Sequence, residues 1–136
     1  MIEACRREIE ELHAFFEGWF EGTLPDDEAT FARVADALAE DFELISPDGR
    51  RRDRGTILAS IREGYGDHAG EGKRFRIEIH DVRPRLVVAE TALLTYEEWQ
   101  TSDGSKNRRL SSAWFRKVDA APCGVRWIHL HETALS

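Results

Sequence analysis

The feature that most constrains the fold is a pair of alternating segments near the end of the chain, residues 108–116 and 126–133. In both segments polar and apolar side chains alternate with a period of two, which is the pattern of a β-strand with one buried face. A turn that contains proline, cysteine and glycine separates them. The two segments therefore predict an antiparallel hairpin.

The second strand of this hairpin has two chemically different faces. One face carries the aliphatic residues Ile128 and Leu130, followed by Glu132 where the sheet should end. The other face carries three ring side chains: Trp127, His129 and His131. A carboxylate in line with core residues either lies in a pocket or reaches water at its rim. Glu132 is therefore a first candidate for a functional group.

Three helices are predicted before the long strands. Apolar residues recur at three- and four-residue steps over residues 2–21, which indicates an amphipathic helix. A second helix follows a capping segment, and its buried side carries Phe31, Val34 and Leu38. The pattern predicts a third helix over residues 54–65, after a short strand at 42–46 that ends in a Pro-Asp-Gly turn.

Helices that precede a run of long strands indicate an α+β domain. Phe75, Ile77 and Ile79 alternate with polar residues in one further strand, and residues 85–100 form another. We expect residues 1–136 to form a single domain in which a curved antiparallel sheet wraps around the three helices as a cone. The open end of the cone is where a ligand would enter.

Composition excludes several classes of function. The net charge of −7 argues against a nucleic-acid partner, because few basic groups are free to neutralise phosphates. Charged residues interrupt the first ten positions and no apolar run reaches spanning length, so we expect neither a secretion signal nor a membrane span. Two cysteines, Cys5 and Cys123, suit a reducing compartment, and we expect a cytoplasmic protein.

The chain resembles the nuclear transport factor 2-like superfamily, more narrowly its SnoaL-like and steroid-isomerase-like branch. The resemblance rests on the order of elements and on four segments: residues 41–49, 95–100, 111–116 and 127–132. It implies a cystatin-like roll and a homodimer. It does not imply one activity, because the superfamily includes isomerases, dehydratases, cyclases, transport factors and kinase association domains. The catalytic groups of ketosteroid isomerases and scytalone dehydratases have no residue-by-residue match in this sequence.

An acidic and aromatic cluster, Tyr96-Glu97-Glu98, gives the first candidate site. Adjacent strand residues point to opposite faces, so only one of the two glutamates faces the cavity. If Glu98 does, Tyr96 joins it, and a buried carboxyl beside a phenol is suited to proton transfer. The alternative is a strand end in solvent, with the acids paired to Arg108 or Arg109 across the hairpin.

Glu132 gives the second candidate site, and its neighbours depend on the register of the hairpin. One register places it near Ser112, Trp114 and Arg116. A register shifted by one places it near three other residues: Ser111, Ala113 and Phe115. In either case Glu132 orients a polar ligand or acts as a base, or else forms a salt bridge at the rim.

The remaining candidates are wall residues and a possible interface. We predict that six residues contact a ligand: Trp19, Phe42, Tyr65, Ser112, Trp114 and Arg126. His129 and His131 share a face, but two histidines without a third ligand do not make a metal site. We interpret them, with Trp127, as an outer face on which a second subunit packs. No metal and no cofactor is predicted.

Three functional hypotheses follow from these residues. The first is a homodimer that binds a small, largely apolar organic molecule in the cone. The second is a cofactor-free acid–base enzyme (an isomerase, cyclase or dehydratase) that uses Glu98 or Glu132, with Tyr96, as its catalytic groups. The third is a structural dimerisation module that uses the outer sheet face.

Overall fold

The computed structural model describes residues 1–69, 75–102 and 104–135. Three helices and six strands follow one another along these residues. They are α1 (Ile2–Glu21), α2 (Glu28–Ala35), β1 (Leu38–Ile45), β2 (Arg51–Asp53), α3 (Arg54–Glu63), β3 (Arg76–Val88), β4 (Thr91–Ser102), β5 (Ser105–Lys117) and β6 (Val125–Leu135). The predicted α+β class and the presence of three helices are confirmed. The prediction that Leu38 lies on the second helix is wrong: α2 ends at Ala35, and Leu38 is the first residue of β1, where its apolar side chain is buried instead.

The strands form one curved sheet in the order β2-β1-β6-β5-β4-β3. The long strands β3 to β6 pair antiparallel in sequence order, and β2 pairs antiparallel with β1. Strand β1 instead runs parallel to β6. Between these two neighbours the chain passes through β2, α3 and strands β3 to β5. Helix α1 contacts β3, β4 and β6. The core lies between this helix and the sheet, and its largest fully buried side chains include Trp19, Phe115 and Trp127.

The helix boundaries have local causes. Helix α1 ends at Gly22, whose φ of 73° lies in the left-handed region that glycine adopts at little cost. Helices α2 and α3 begin after Asp27 and Asp53, whose side chains accept hydrogen bonds from the backbone N–H of Thr30 and Thr56. Each carboxylate satisfies an N–H group that the helix itself leaves unpaired.

The prediction of one strand over residues 85–100 is wrong. Strand β3 continues to Val88, the chain turns at Ala89 and Glu90, and β4 begins at Thr91. Residues 86–88 are apolar on both faces, which resembles a fully buried strand, yet all three side chains are exposed at the end of the hairpin. Ala89 adopts a φ of 54°, as a tight turn requires.

A β-bulge in β6 overturns a second prediction. Phe115 pairs with Trp127 and Trp114 pairs with His129, so Ile128 is an extra residue in β6. The extra residue inverts the alternation, and Trp127 therefore points into the core, where it is 2% exposed. The prediction that Trp127 shares an outer face with His129 and His131 is wrong for Trp127.

Candidate functional site

A cavity of about 350 Å³ lies among the helices and the concave face of the sheet. Its apolar lining residues are Leu12, Phe16, Phe20, Val34, Leu38, Phe42, Leu44, Ile57, Ile61, Phe75, Ile77, Trp127 and Leu130. Its polar lining residues are His13, Asp67, His68, Glu98, Gln100, Arg109 and Glu132. Five of these form three hydrogen bonds: His13 with Glu98, Gln100 with Glu98, and Arg109 with Glu132. We call these five residues the polar cluster.

Strand β4 supplies the centre of the polar cluster. Its side chains alternate between buried and partly exposed, with Tyr96 and Glu98 on the buried side and Glu97 on the other. Glu98 is 4% exposed and Tyr96 is fully buried. Of the two arrangements open to the sequence, the structure therefore has Glu98 and Tyr96 facing inward. Glu97 accepts a hydrogen bond from the Trp99 indole on the outer face.

The carboxylate of Glu98 is bound by two side chains. Its Oε1 lies 3.1 Å from Nε2 of His13, and its Oε2 accepts a hydrogen bond of 2.6 Å from the Gln100 amide. Nδ1 of His13 lies 2.7 Å from the Ile9 carbonyl oxygen, which can only accept, so Nδ1 carries a proton. The contact between His13 and Glu98 then holds one further proton, and the pair is an imidazolium beside a carboxylate.

Glu132 is held by Arg109, one strand away. Nη1 of Arg109 donates to Oε1 of Glu132 over 3.1 Å, and Glu132 is 6% exposed. Arg109 lies directly opposite Glu98, and Ser111 lies directly opposite Glu132. The hairpin therefore has the second of the two registers that the sequence left open.

The environments of the two acids push their pKa values in opposite directions. Burial raises the pKa of Glu98, but the charge and hydrogen bond of His13, the Gln100 amide and Arg109 outweigh it, and the pKa falls to about 2. Burial and the charge of Glu98 raise the pKa of Glu132, against the opposing effect of Arg109 and His13. Glu98 is thus held as an anion, and Glu132 is the acid of the two that binds a proton more readily.

The pKa of His13 moves in the direction that the pair requires. Complete burial lowers it, while the charge and hydrogen bond of Glu98, the Ile9 carbonyl and the charge of Glu132 raise it above the ordinary value. The net rise keeps the imidazole protonated beside Glu98.

Two hydroxyls next to the cluster have no hydrogen-bond partner among the described residues. They belong to Tyr96 and Ser111, which lie directly opposite each other on β4 and β5 and are both fully buried. The ring of Tyr96 packs edge-on against His13, with 5.6 Å between ring centroids. Burial and the nearby charges of Glu98 and Glu132 raise the pKa of the Tyr96 phenol and outweigh the opposing effects of the neighbouring Ser111 hydroxyl and of Arg109, so this group stays protonated.

The structure brings some of the predicted contact residues to the cavity and not others. Phe42 lines the cavity. Trp19 and Tyr65 do not line it. Their polar atoms instead form hydrogen bonds to backbone carbonyls of other segments. The Trp19 indole donates to the Ile61 carbonyl over 2.7 Å, and the Tyr65 hydroxyl donates to the Leu24 carbonyl over 2.5 Å.

Ser112 and Trp114 lie on the side of β5 that faces away from the cavity, since Ser111, Ala113 and Phe115 occupy the inner side. Arg126 also lies away from the cavity, and its side chain donates to the Asp36 carbonyl at 3.0 Å. The β6 bulge separates Arg126 from the alternation that places Glu132 inside.

A second buried ionic group lies on another turn of α1. Glu8 is fully buried and accepts two hydrogen bonds from Arg33, of 3.2 and 2.9 Å. The indole of Trp127 donates to the same carboxylate at 3.0 Å. The two bonds from Arg33 join α1 to α2, and the bond from Trp127 joins α1 to β6, so this group fixes the helices on the sheet.

The sequence did not predict His13 or Gln100 as site residues, and it predicted Arg109 only as a partner of Glu97 or Glu98 at a strand end in solvent. A signal for His13 was present, because it follows Ile9 by four positions and precedes Phe16 by three, on the apolar face of α1. The other two lie on the inner faces of β4 and β5. Gln100 continues the alternation that places Tyr96 and Glu98 inside, and Arg109 is opposite Glu98 once the register is known.

The described part of the chain has neither a group of metal ligands nor a membrane-spanning helix. Across residues 1–69, 75–102 and 104–135, no three His, Cys, Asp or Glu side chains are grouped so that they could hold a metal ion. The helices of the same residues include none that is long and apolar enough to cross a membrane.

The fold and its cavity define a protein of the nuclear transport factor 2-like superfamily, as the resemblance implied. A solved protein of unknown function from Pseudomonas aeruginosa, described as like nuclear transport factor 2, superposes with a TM-score of 0.85 at 27% identity, over 98% of this chain and 99% of its own. A CaMKII hub from S. rosetta superposes with a TM-score of 0.69 at 14% identity, over 98% and 95% of the two chains.

Within this class, the chain belongs to the family described as sucrose-6-phosphate phosphohydrolase C-terminal, whose model matches residues 5–136. Among curated proteins, sucrose-phosphatase 2 of Nicotiana tabacum is 22% identical over 95% of this chain. The chain spans only 30% of that relative's length.

Proposed function

We propose that this chain binds a small, largely apolar organic molecule in the cavity between the helices and the sheet. One observation carries the proposal: apolar walls surround a compact polar cluster in a cavity of about 350 Å³. Ligand pockets have this composition, in which apolar contacts supply most of the affinity and a few polar groups fix the orientation. The volume is at the small end of the usual range of roughly 300–1,000 Å³.

A cavity-filling variant tests this proposal. Ile57 lines the cavity and is partly buried, so Ile57→Trp places a larger side chain in the space that a ligand would occupy. Leu110→Trp is the matched control, because Leu110 is exposed and does not line the cavity. We expect compounds that raise the melting temperature of the wild type and of Leu110→Trp to have no effect on Ile57→Trp. A library without such compounds, or an equal response of all three proteins, would contradict ligand binding in this cavity.

A second candidate function is cofactor-free acid–base catalysis, with Glu132 as the proton carrier. The opposed pKa shifts of Glu98 and Glu132 favour it, because paired acids with separated pKa values are a feature of such sites. Tyr96 would serve as a neutral hydrogen-bond donor, since its buried hydroxyl has no partner among the described residues. An isomerisation, cyclisation or dehydration needs no more than these groups.

Carbon-13 labelling of the glutamate side chains separates this candidate from simple binding. We expect one carboxyl, lost from the spectrum in Glu132→Gln, to titrate above the ordinary value of 4.5 for a glutamate. If Glu132 titrates with the exposed glutamates, it is not a poised proton carrier, and the binding function stands without catalysis.

The tobacco relative suggests a sugar phosphate as an alternative ligand. The cavity argues against it on two grounds. The polar cluster pairs each of its cations with a carboxylate and so leaves the charge of a phosphate group unpaired, and apolar walls leave most sugar hydroxyls without hydrogen-bond partners. The activity of the sucrose-phosphatases therefore does not transfer to this cavity.

We also propose that residues 1–136 act as one domain and associate as a homodimer in the cytoplasm. The similarity to a kinase hub supports self-association, and the two free cysteines, Cys5 and Cys123, suit a reducing compartment. With Trp127 in the core, the proposed outer face is carried by Trp114, His129 and His131 on β5 and β6.

Sedimentation of charged variants tests the dimer. Trp114→Glu and His131→Glu should each yield a monomer, because an unpaired carboxylate in an interface is costly. The control is Val87→Glu, at the exposed β3–β4 turn, which should remain a dimer. A wild type that sediments as a monomer at all concentrations would exclude this assembly.

A further inference from the structure

The polar cluster leaves little hydrogen-bonding capacity for a ligand, and that capacity is at one end. Both oxygens of Glu98 are occupied, by His13 and by Gln100. At the other end, only Oε1 of Glu132 has a partner within the described residues, which is Arg109. Arg109 lines the cavity, and its Nη2 has no partner within the same residues. A ligand that meets the cluster therefore meets Glu132 and Arg109, and finds an acceptor beside a donor.

The same cluster is balanced in charge. It consists of two ion pairs, His13 with Glu98 at 3.1 Å and Arg109 with Glu132 at 3.1 Å. All four members have side chains that are 21% exposed or less, so water screens an added charge poorly. A ligand that carries a net charge would leave one charge in this site unpaired, at a cost that an uncharged ligand avoids.

We propose that the cavity selects an uncharged molecule with an apolar body and a single hydroxyl head group, and that Arg109 and Glu132 are the residues that select it. A hydroxyl both donates and accepts, so it suits the acceptor of Glu132 and the donor of Arg109. This inference rests on the proposed binding function. It adds the charge and the head group of the ligand.

Four probes that share the naphthalene ring system and differ in their head group test the inference: naphthalene, 2-naphthol, 2-naphthoate and 2-naphthylmethylammonium. Binding to the wild type is measured by calorimetry at pH 7. We expect 2-naphthol to bind most tightly, with a Kd about tenfold below that of either charged probe, which is the effect of roughly one buried charge-assisted hydrogen bond.

Two substitutions should change this order in opposite directions. Glu132→Gln leaves the Arg109 guanidinium unpaired, so 2-naphthoate should become the tightest probe. Arg109→Gln leaves the Glu132 carboxylate unpaired, so 2-naphthylmethylammonium should become the tightest. Glu97→Gln removes the adjacent acid on the outer face and should retain the order of the wild type.

The outcomes separate this inference from the proposed function. If naphthalene binds as tightly as 2-naphthol, the cavity binds ligands but the polar cluster does not select them, and the inference is overturned. A wild type that prefers 2-naphthoate, or variants that keep the wild-type order, overturns it as well. If no probe binds, the proposed function fails together with the inference.

Discussion

Nε2 of His13 on α1 and Oε1 of Glu98 on β4 lie 3.1 Å apart, and both side chains are almost completely excluded from solvent. The contact joins residues 85 positions apart in sequence, so it forms only when the helix lies on the sheet. Each partner also favours the charged form of the other, so the contact keeps His13 protonated and Glu98 ionised. The same pair therefore supports the fold and sets the electrostatics of the cavity.

Loss of one partner of this pair should be severe. His13→Leu leaves the Glu98 carboxylate buried without its cation, which typically costs about 3–5 kcal/mol of the free energy of unfolding. Urea denaturation measures the loss. His80→Leu is the control: it breaks a His–Glu contact with Glu78 in which both side chains are more than a third exposed, and it should change stability far less.

The double variant His13→Leu/Glu98→Leu completes a thermodynamic cycle. We expect it to be more stable than His13→Leu alone, because the Glu98 carboxylate is no longer buried without its cation. Additive losses from the two single variants would show that the two groups do not interact.

The pH dependence of stability should report the same pair. The folded-state pKa of Glu98 is about 2, below the ordinary value of 4.5, so its contribution is present above pH 4.5 and is lost as the pH falls toward 2. The folded-state pKa of His13 lies above 6.5, so its contribution is present below pH 6.5 and is lost as the pH rises through the raised pKa.

The difference in unfolding free energy between the wild type and His13→Leu/Glu98→Leu should therefore be largest between pH 4.5 and 6.5. The double variant serves as the reference because Glu8 is common to both proteins, and the opposing effects of Glu98 and His13 on the pKa of Glu132 are removed together. A difference that is constant with pH would mean that the two groups do not titrate as a charged pair.

The Glu8 group should also depend on its cation. Arg33→Met leaves a fully buried carboxylate with only the Trp127 indole as a strong donor, and about 3–5 kcal/mol of stability should be lost. The control is Arg62→Met. Arg62 pairs with Glu28 on the surface, where ion pairs contribute little, so thermal denaturation should show a far smaller effect. Equal losses would indicate that the Glu8 carboxylate is neutral in the folded protein.

Tyr96→Phe should retain stability or increase it. The Tyr96 hydroxyl is buried without a partner among the described residues, and removal of such a group relieves a desolvation cost. Chemical denaturation measures the change, and Tyr96→Leu is the contrasting variant, which removes the ring that packs on His13 and should destabilise. A loss of more than about 1 kcal/mol in Tyr96→Phe would reveal a hydrogen bond to this hydroxyl, such as one to a buried water.

The sequence was sufficient for the existence of the three helices and for the final hairpin, because each depends on a local period of 3.6 or 2 residues. It left open whether Glu132 lies in the cavity or at its rim. It was insufficient where a single residue changes that period. The Ile128 bulge moved Trp127 from the predicted outer face to the core, and nothing in the composition of β6 marks it. The polar cluster also depends on pairs across strands and on the docking of α1, which no local pattern contains.

The same bulge divides β6 into two segments with independent alternation. Upstream of Ile128, the inward positions hold the packing of the helices, with Val125 and Trp127. Downstream, they hold Leu130 and Glu132, which line the cavity. In a regular strand, Trp127 and Glu132 are five positions apart and would lie on opposite faces. Because of this one inserted residue, a single strand contributes to the interior both an indole that donates to Glu8 and a carboxylate that accepts from Arg109.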